Sequence, residues 1–141
     1  MKRSGIFAAV LAGTALLLAG CGNNDAAVKA AVTGQVRSYI EDVSAAKFNE
    51  ARTIATGGAL TALASVQTLF SQASYHDTVS HLSIQITSLD TQHGLATVRA
   101  SYVLETEIAN VGNQVSHPSM VVQLTRLGGA WRIYAINLIS E

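Results

Sequence analysis

The spacing of apolar residues changes from about 3.6 to 2 near His76, and this limits the chain to one class of fold. Ahead of His76, Val28, Val32, Val36, Tyr39, Ile40 and Val43 recur three or four residues apart, as along one face of a helix. Lys29, Arg37, Glu41 and Asp42 fall largely off that stripe, so the spacing predicts a first helix from about Ala26 to Lys47 with Asp25 as its N-cap. A short second helix is expected from near Asn49 to Gly57-Gly58, since each glycine disfavours a helix interior by about 1 kcal/mol. Leu60, Leu63, Val66 or Gln67, and Phe70 form a third amphipathic face ending near Ser74.

After His81 the alternation is that of strands. Leu82, Ile84 and Ile86 alternate with Ser83, Gln85 and Thr87, and Asp90 to Gly94 reads as a turn. A second strand is predicted from Leu95 to about Ile108, with Val98, Ala100, Tyr102 and Leu104 on one face. A third runs from Val115 to Leu127, with His117-Pro118 near its start, where proline fits an edge or a bulge. Gly128-Gly129 makes a hairpin turn into a last strand, Trp131 to Ile139. That strand is apolar on both faces at Ile133 to Ile136, which predicts a central strand or one whose outer face meets another chain. Helices followed by an antiparallel meander define an α+β domain, with the helices on one face of a four-stranded sheet.

Met1-Lys2-Arg3 is followed by about a dozen mostly apolar residues, Ile6 to Leu18, too few for a membrane-crossing helix and suited to a signal peptide. The run ends in Leu18-Ala19-Gly20-Cys21, which holds the chain's single cysteine. This segment resembles the lipobox of bacterial lipoproteins. The resemblance implies cleavage before Cys21, acyl chains on that residue and permanent membrane attachment, since each buried methylene contributes about 0.8 kcal/mol. With Gly22 rather than aspartate next, it also implies the periplasmic face of the outer membrane in a Gram-negative host. The expected organisation is a signal peptide over 1–20, a lipidated cysteine and short tether over 21–27, and one domain over 28–141.

Cleavage would leave 121 residues and take the nine basic residues to seven against nine acidic ones, a net of −2. No basic patch points to nucleic acid, and with no second cysteine the domain relies on its hydrophobic core. The element order is similar to the cystatin-like, nuclear-transport-factor-2-like superfamily, and Gly128-Gly129-Ala130-Trp131-Arg132-Ile133 resembles that group's closing hairpin. The resemblance covers about Ala26 to Ser140 and implies a curved sheet and helices forming a cone, filled or holding a small apolar ligand. Between the second and third helices, where that fold often has a short strand, the sequence shows no strand pattern.

Candidate chemistry is sparse. His76, Asp77 and His81 form the densest polar group, but their spacing matches no metal-ligand pattern, and they read as a polar helix C-terminus. Catalytic members of the superfamily, such as the SnoaL-like cyclases, place acids and bases inside the cone; Asp90, His93, Glu105 and His117 are the candidates here. Tyr39, Phe70, Tyr102, His117 and Trp131 are the candidate lining of a ligand cavity. Arg99, Arg126 and Arg132 are solvated strand charges or the rim of an interface. No catalytic set, metal site or cofactor is expected. The leading expectation is a lipid-anchored, non-catalytic envelope module that binds a partner protein or a second copy through its sheet. The alternatives are a small-molecule binding module using the cone and a SnoaL-like enzyme. Cys21→Ser is expected to abolish incorporation of radiolabelled palmitate in cells; persistent labelling would contradict acylation at Cys21.

Overall fold

The computed structural model describes residues 24–140. Cys21 and the expected signal peptide, residues 1–20, lie outside them. Three helices, α1 (Asn24–Ser44), α2 (Phe48–Ile54) and α3 (Gly57–Gln72), precede five strands. The strands are β1 (Tyr75–Asp90), β2 (Leu95–Ile108), β3 (Gly112–Ser116), β4 (Ser119–Leu127) and β5 (Ala130–Leu138). All strand pairs are antiparallel, in the order β1-β2-β4-β5, with β3 added beside the far half of β2. The helices cover one face of the sheet, as the change of period requires. Among the described residues, no helix is long and apolar enough to cross a membrane.

The predicted stripe of α1 is its buried face: Val32 and Val36 are fully buried, and Tyr39 and Ile40 nearly so. They meet Leu63 of α3, Val98 and Ala100 of β2, Val122 and Leu124 of β4, and Trp131 and Ile133 of β5 in one core. Among the described residues, every buried apolar side chain lies between Val32 and Ile133. Gln35 Nε2 donates to the Trp131 carbonyl at 2.6 Å, and the Arg132 guanidinium donates to the Thr53 carbonyl, joining the helices to the start of β5.

Several boundaries differ from the sequence expectation, each for a local reason. Helix α1 begins at Asn24, which places Asp25 in its first turn instead of at the cap. The first strand begins at Tyr75, well before Leu82, so His76, Asp77 and His81 belong to β1 and not to a helix end. His81 has φ 53° and sits at a bulge between Ser80 and Ser83. The extra residue shifts the alternation by one, which conceals the period-2 pattern running back to Tyr75. The single strand expected over Val115 to Leu127 is two, β3 and β4, so the sheet has five strands. Pro118 has no N–H to give the ladder, and its carbonyl instead accepts from Tyr102 N at 3.2 Å.

Strand β5 is an edge strand, and its apparent two-faced apolarity comes from another bulge. Leu124 pairs with Ile133 whereas Gln123 pairs with Ala135, leaving Tyr134 extra. Ile133 and Ile136 therefore both turn toward the helices, and both belong to the core or pack against it. The short strand missing from the sequence pattern is reduced to a single parallel bridge, Ala55 to Ile133, with Thr56 N donating to Ile133 O at 2.7 Å. Gly57 (φ 53°) and Gly58 allow this approach, since a Cβ on Gly58 would lie 3.3 Å from the Tyr134 carbonyl oxygen. Leu63→Ala is expected to cost roughly 2–5 kcal/mol, read as a lower denaturant midpoint at unchanged slope. Gly94→Ala is expected to cost about 1 kcal/mol or more in the same measurement, because Gly94 has φ 64° and an added Cβ would lie 3.0 Å from Arg126 Cβ.

Candidate functional site

The end of the core beyond Val36 and Ala100 is not filled. A cavity of about 350 Å³ remains between α1, α3 and the sheet. Tyr39, Ile40 and Val43 of α1 and Ala62, Val66 and Phe70 of α3 form its helical wall. Val79, Tyr102, Leu104, Met120 and Ile136 form the sheet wall. Leu138 is 75% exposed and lines the open side. Phe70 is held by an edge contact with Phe48 at 5.3 Å between centroids and a tilted one with Tyr75 at 5.6 Å.

Asp77 is the one charged residue in this lining, and no lining residue is basic. The alternation of β1 puts Tyr75, Asp77 and Val79 on the inner face, opposite Ile108, Thr106 and Leu104 of β2. Asp77 Oδ1 is closed off from solvent and has no hydrogen-bond partner among the described residues. Desolvation normally makes such an oxygen costly by about 1–3 kcal/mol, and more when it is charged. Tyr102, across the sheet, is pushed up to about 12 by burial, then by the negative charge of Asp77 and by Tyr39. Tyr39 is raised by burial alone. Both phenols therefore stay protonated at neutral pH, lining the cavity with two neutral aromatic hydroxyls near one carboxylate.

The structure brings Tyr39, Phe70 and Tyr102 together around the cavity and places His117 and Trp131 elsewhere. His117 is exposed in the break between β3 and β4. Trp131 is 5% exposed at the filled end of the core, with the Arg126 guanidinium 5.9 Å from its ring centroid. Of the other weighed residues, His76 and Glu105 lie on the exposed outer face, and His81 is exposed at the bulge with Nδ1 3.2 Å from Ser80 Oγ. Asp90 and His93 meet in the exposed β1–β2 turn, Oδ2 to Nδ1 2.7 Å. The His93 backbone N–H and then its ring hold the Asp90 carboxyl below the ordinary range. Asp77 is the site residue the sequence pattern under-weighted. Its inner-face alternation with Tyr75 and Val79 is the signal that finds it once the bulge is allowed for.

No protein-family model matches the chain, and no curated protein matches it significantly. Solved structures do. The chain is similar to the intermembrane space region of the chloroplast protein ARC6, with TM-score 0.67 at 14% identity over 79% of this chain and 97% of that one. It is also similar to a single-site variant of Rv3472, a protein of unknown function from Mycobacterium tuberculosis, with TM-score 0.62 at 14% identity over 87% of this chain and 78% of that one. An uncharacterized protein with a cystatin-like fold from Caulobacter vibrioides matches with TM-score 0.52 at 8% identity, over 79% and 89% of the two chains. At these identities the likeness is one of fold. The chain is an α+β protein of cystatin-like fold, a sheet and helices closing on a cone.

The Tyr102 titration has a definite sign. Its folded pKa lies above the unfolded value near 10, so the associated stability is present below pH ~10 and is lost as pH rises toward 12, on the order of 2 kcal/mol in all. Phenolate absorbance is expected to show one tyrosine ionising near 12, assigned by its loss in Tyr102→Phe and moved down in Asp77→Asn.

Proposed function

We propose that this chain is a non-catalytic binding module whose cone takes a small apolar molecule, held at a membrane by acyl chains on Cys21. The observation that supports this reading is the 350 Å³ apolar cavity itself. Ligand sites of roughly 300–1,000 Å³ are lined mainly by apolar and aromatic side chains with a few polar groups, and this lining has that composition. An engineered apolar cavity of about 150 Å³ accepts benzene, so this volume suits a body of about two fused rings or an alkyl chain of about eight carbons.

The polar groups of the lining suit recognition of a ligand. Tyr39 and Tyr102 stay protonated at neutral pH and can donate hydrogen bonds, and Asp77 Oδ1 offers an acceptor with no partner among the described residues. The sheet-face partner is the second reading: Ile133 and Ile136 of β5 turn inward, and the outer face carries Arg99, Gln123 and Glu105 beside Val103, Val121 and the exposed Val115. Membrane attachment rests on the resemblance of Leu18-Ala19-Gly20-Cys21 to a lipobox.

Residues 22–141, which contain the whole described core, are expected to give native mass spectra with a small-molecule mass that leaves on activation, or to take up 1-octanol when offered. Ala62→Trp places a large ring at the exposed rim and is expected to abolish that uptake at an unchanged unfolding midpoint. A protein that takes up nothing, or a clean dimer, would overturn the cone-binding reading and favour a partner on the sheet.

A further inference from the structure

We propose that the cone selects organic cations, its ligand being an apolar body with a protonated amine that pairs with Asp77 among Tyr39, Phe70 and Tyr102. This rests on the cone-binding reading and adds the chemistry of the ligand's head. Three features of the lining converge on it. The carboxylate is its one charged group, its Oδ1 is buried without a hydrogen-bond partner among the described residues, and no lysine, arginine or histidine lines the cavity. A carboxylate in such surroundings lacks a compensating charge from the chain, and an ammonium donor supplies both the charge and the missing hydrogen bond. Three aromatic side chains stand in the same lining, and their ring faces attract cations, most strongly where water is excluded.

The same features disfavour other heads. A carboxylate or phosphate would face Asp77 with no basic residue to offset the repulsion. A neutral alcohol can donate one hydrogen bond to Oδ1 but leaves the charge uncompensated. The other ionisable groups of the lining, the phenols of Tyr39 on α1 and Tyr102 on β2, are both protonated at neutral pH, so Asp77 is the one charge within the lining.

The test compares three probes with the same chain length, n-octylammonium, 1-octanol and octanoate, by calorimetric titration of residues 22–141 and of the Asp77→Asn variant at pH 7. Octylammonium is expected to bind tighter than octanol by about tenfold to a hundredfold, with octanoate weakest. Asp77→Asn is expected to remove that preference, bringing octylammonium down to the affinity of octanol or below it. The variant keeps the side chain's shape and takes a charge out of an apolar wall, so it is expected to melt no lower than the parent, which separates loss of binding from loss of fold. Equal affinity for octylammonium and octanol, indifference to Asp77→Asn, or preference for octanoate would each overturn cation selection and leave the apolar cone intact. Failure of all three probes to bind would overturn both this inference and the reading on which it rests.

Discussion

The structure depends on a sheet that bends. Helix α1 presents a narrow apolar stripe, and a flat sheet would touch it along one line and leave the rest of both surfaces wet. The bulges do the bending. The extra residue at His81 in β1, a second register shift between Ile86 and Ser88, and the one at Tyr134 in β5 each increase local twist and turn the strand toward the helices. Curved in this way, the sheet meets α1 and α3 at one end in a close-packed core of Val36, Leu63, Leu124 and Ile133. At the other end it stands away from them. Core and cavity are therefore two results of one curvature.

The open end is composed differently from the closed one. Where the core is filled, Val36, Leu63, Leu124 and Ile133 interlock with Trp131 and no charged residue among those described joins them. Where it opens, Tyr39, Phe70 and Tyr102 stand among aliphatic residues and a carboxylate interrupts the wall. An isolated buried carboxylate oxygen lowers stability, and a chain shaped by packing alone would place valine or threonine at position 77. Groups that lower stability while lining a cavity are where structure most often yields to function. Asp77 therefore says more about function than the far more numerous apolar contacts around it.

How much is legible in the sequence varies with the regularity of the local pattern. The helices and the antiparallel meander follow from periodicity, because α1 and β2 keep their period without interruption. The start of β1 and the division of β3 from β4 are not legible, since a bulge shifts the period and a proline ends a ladder without ending the strand direction. The same difference governs the site. Tyr39 and Tyr102 sit on stripes whose inner face is unambiguous, and Phe70 closes the third helical face. Trp131 follows the same rule, yet lies at the filled end, since alternation reports which face a residue takes and not how far along the cone it lies. Asp77 reads in the sequence as part of a polar helix end because the bulge at His81 separates it from the alternation that reveals its direction.

The position of the cavity along α1 sets a distance. Tyr39 to Ser44 line it, whereas the described helix starts at Asn24, 15 to 20 residues earlier. At 1.5 Å per residue the opening lies about 20–30 Å along the helix axis from that start. An anchor attached ahead of α1 would thus carry the mouth of the cone at the remote end of a rigid rod, clear of the headgroups when the helix stands upright. Cargo would then be exchanged with the aqueous compartment or a soluble carrier, and the bilayer would act as a mooring and not as the reservoir.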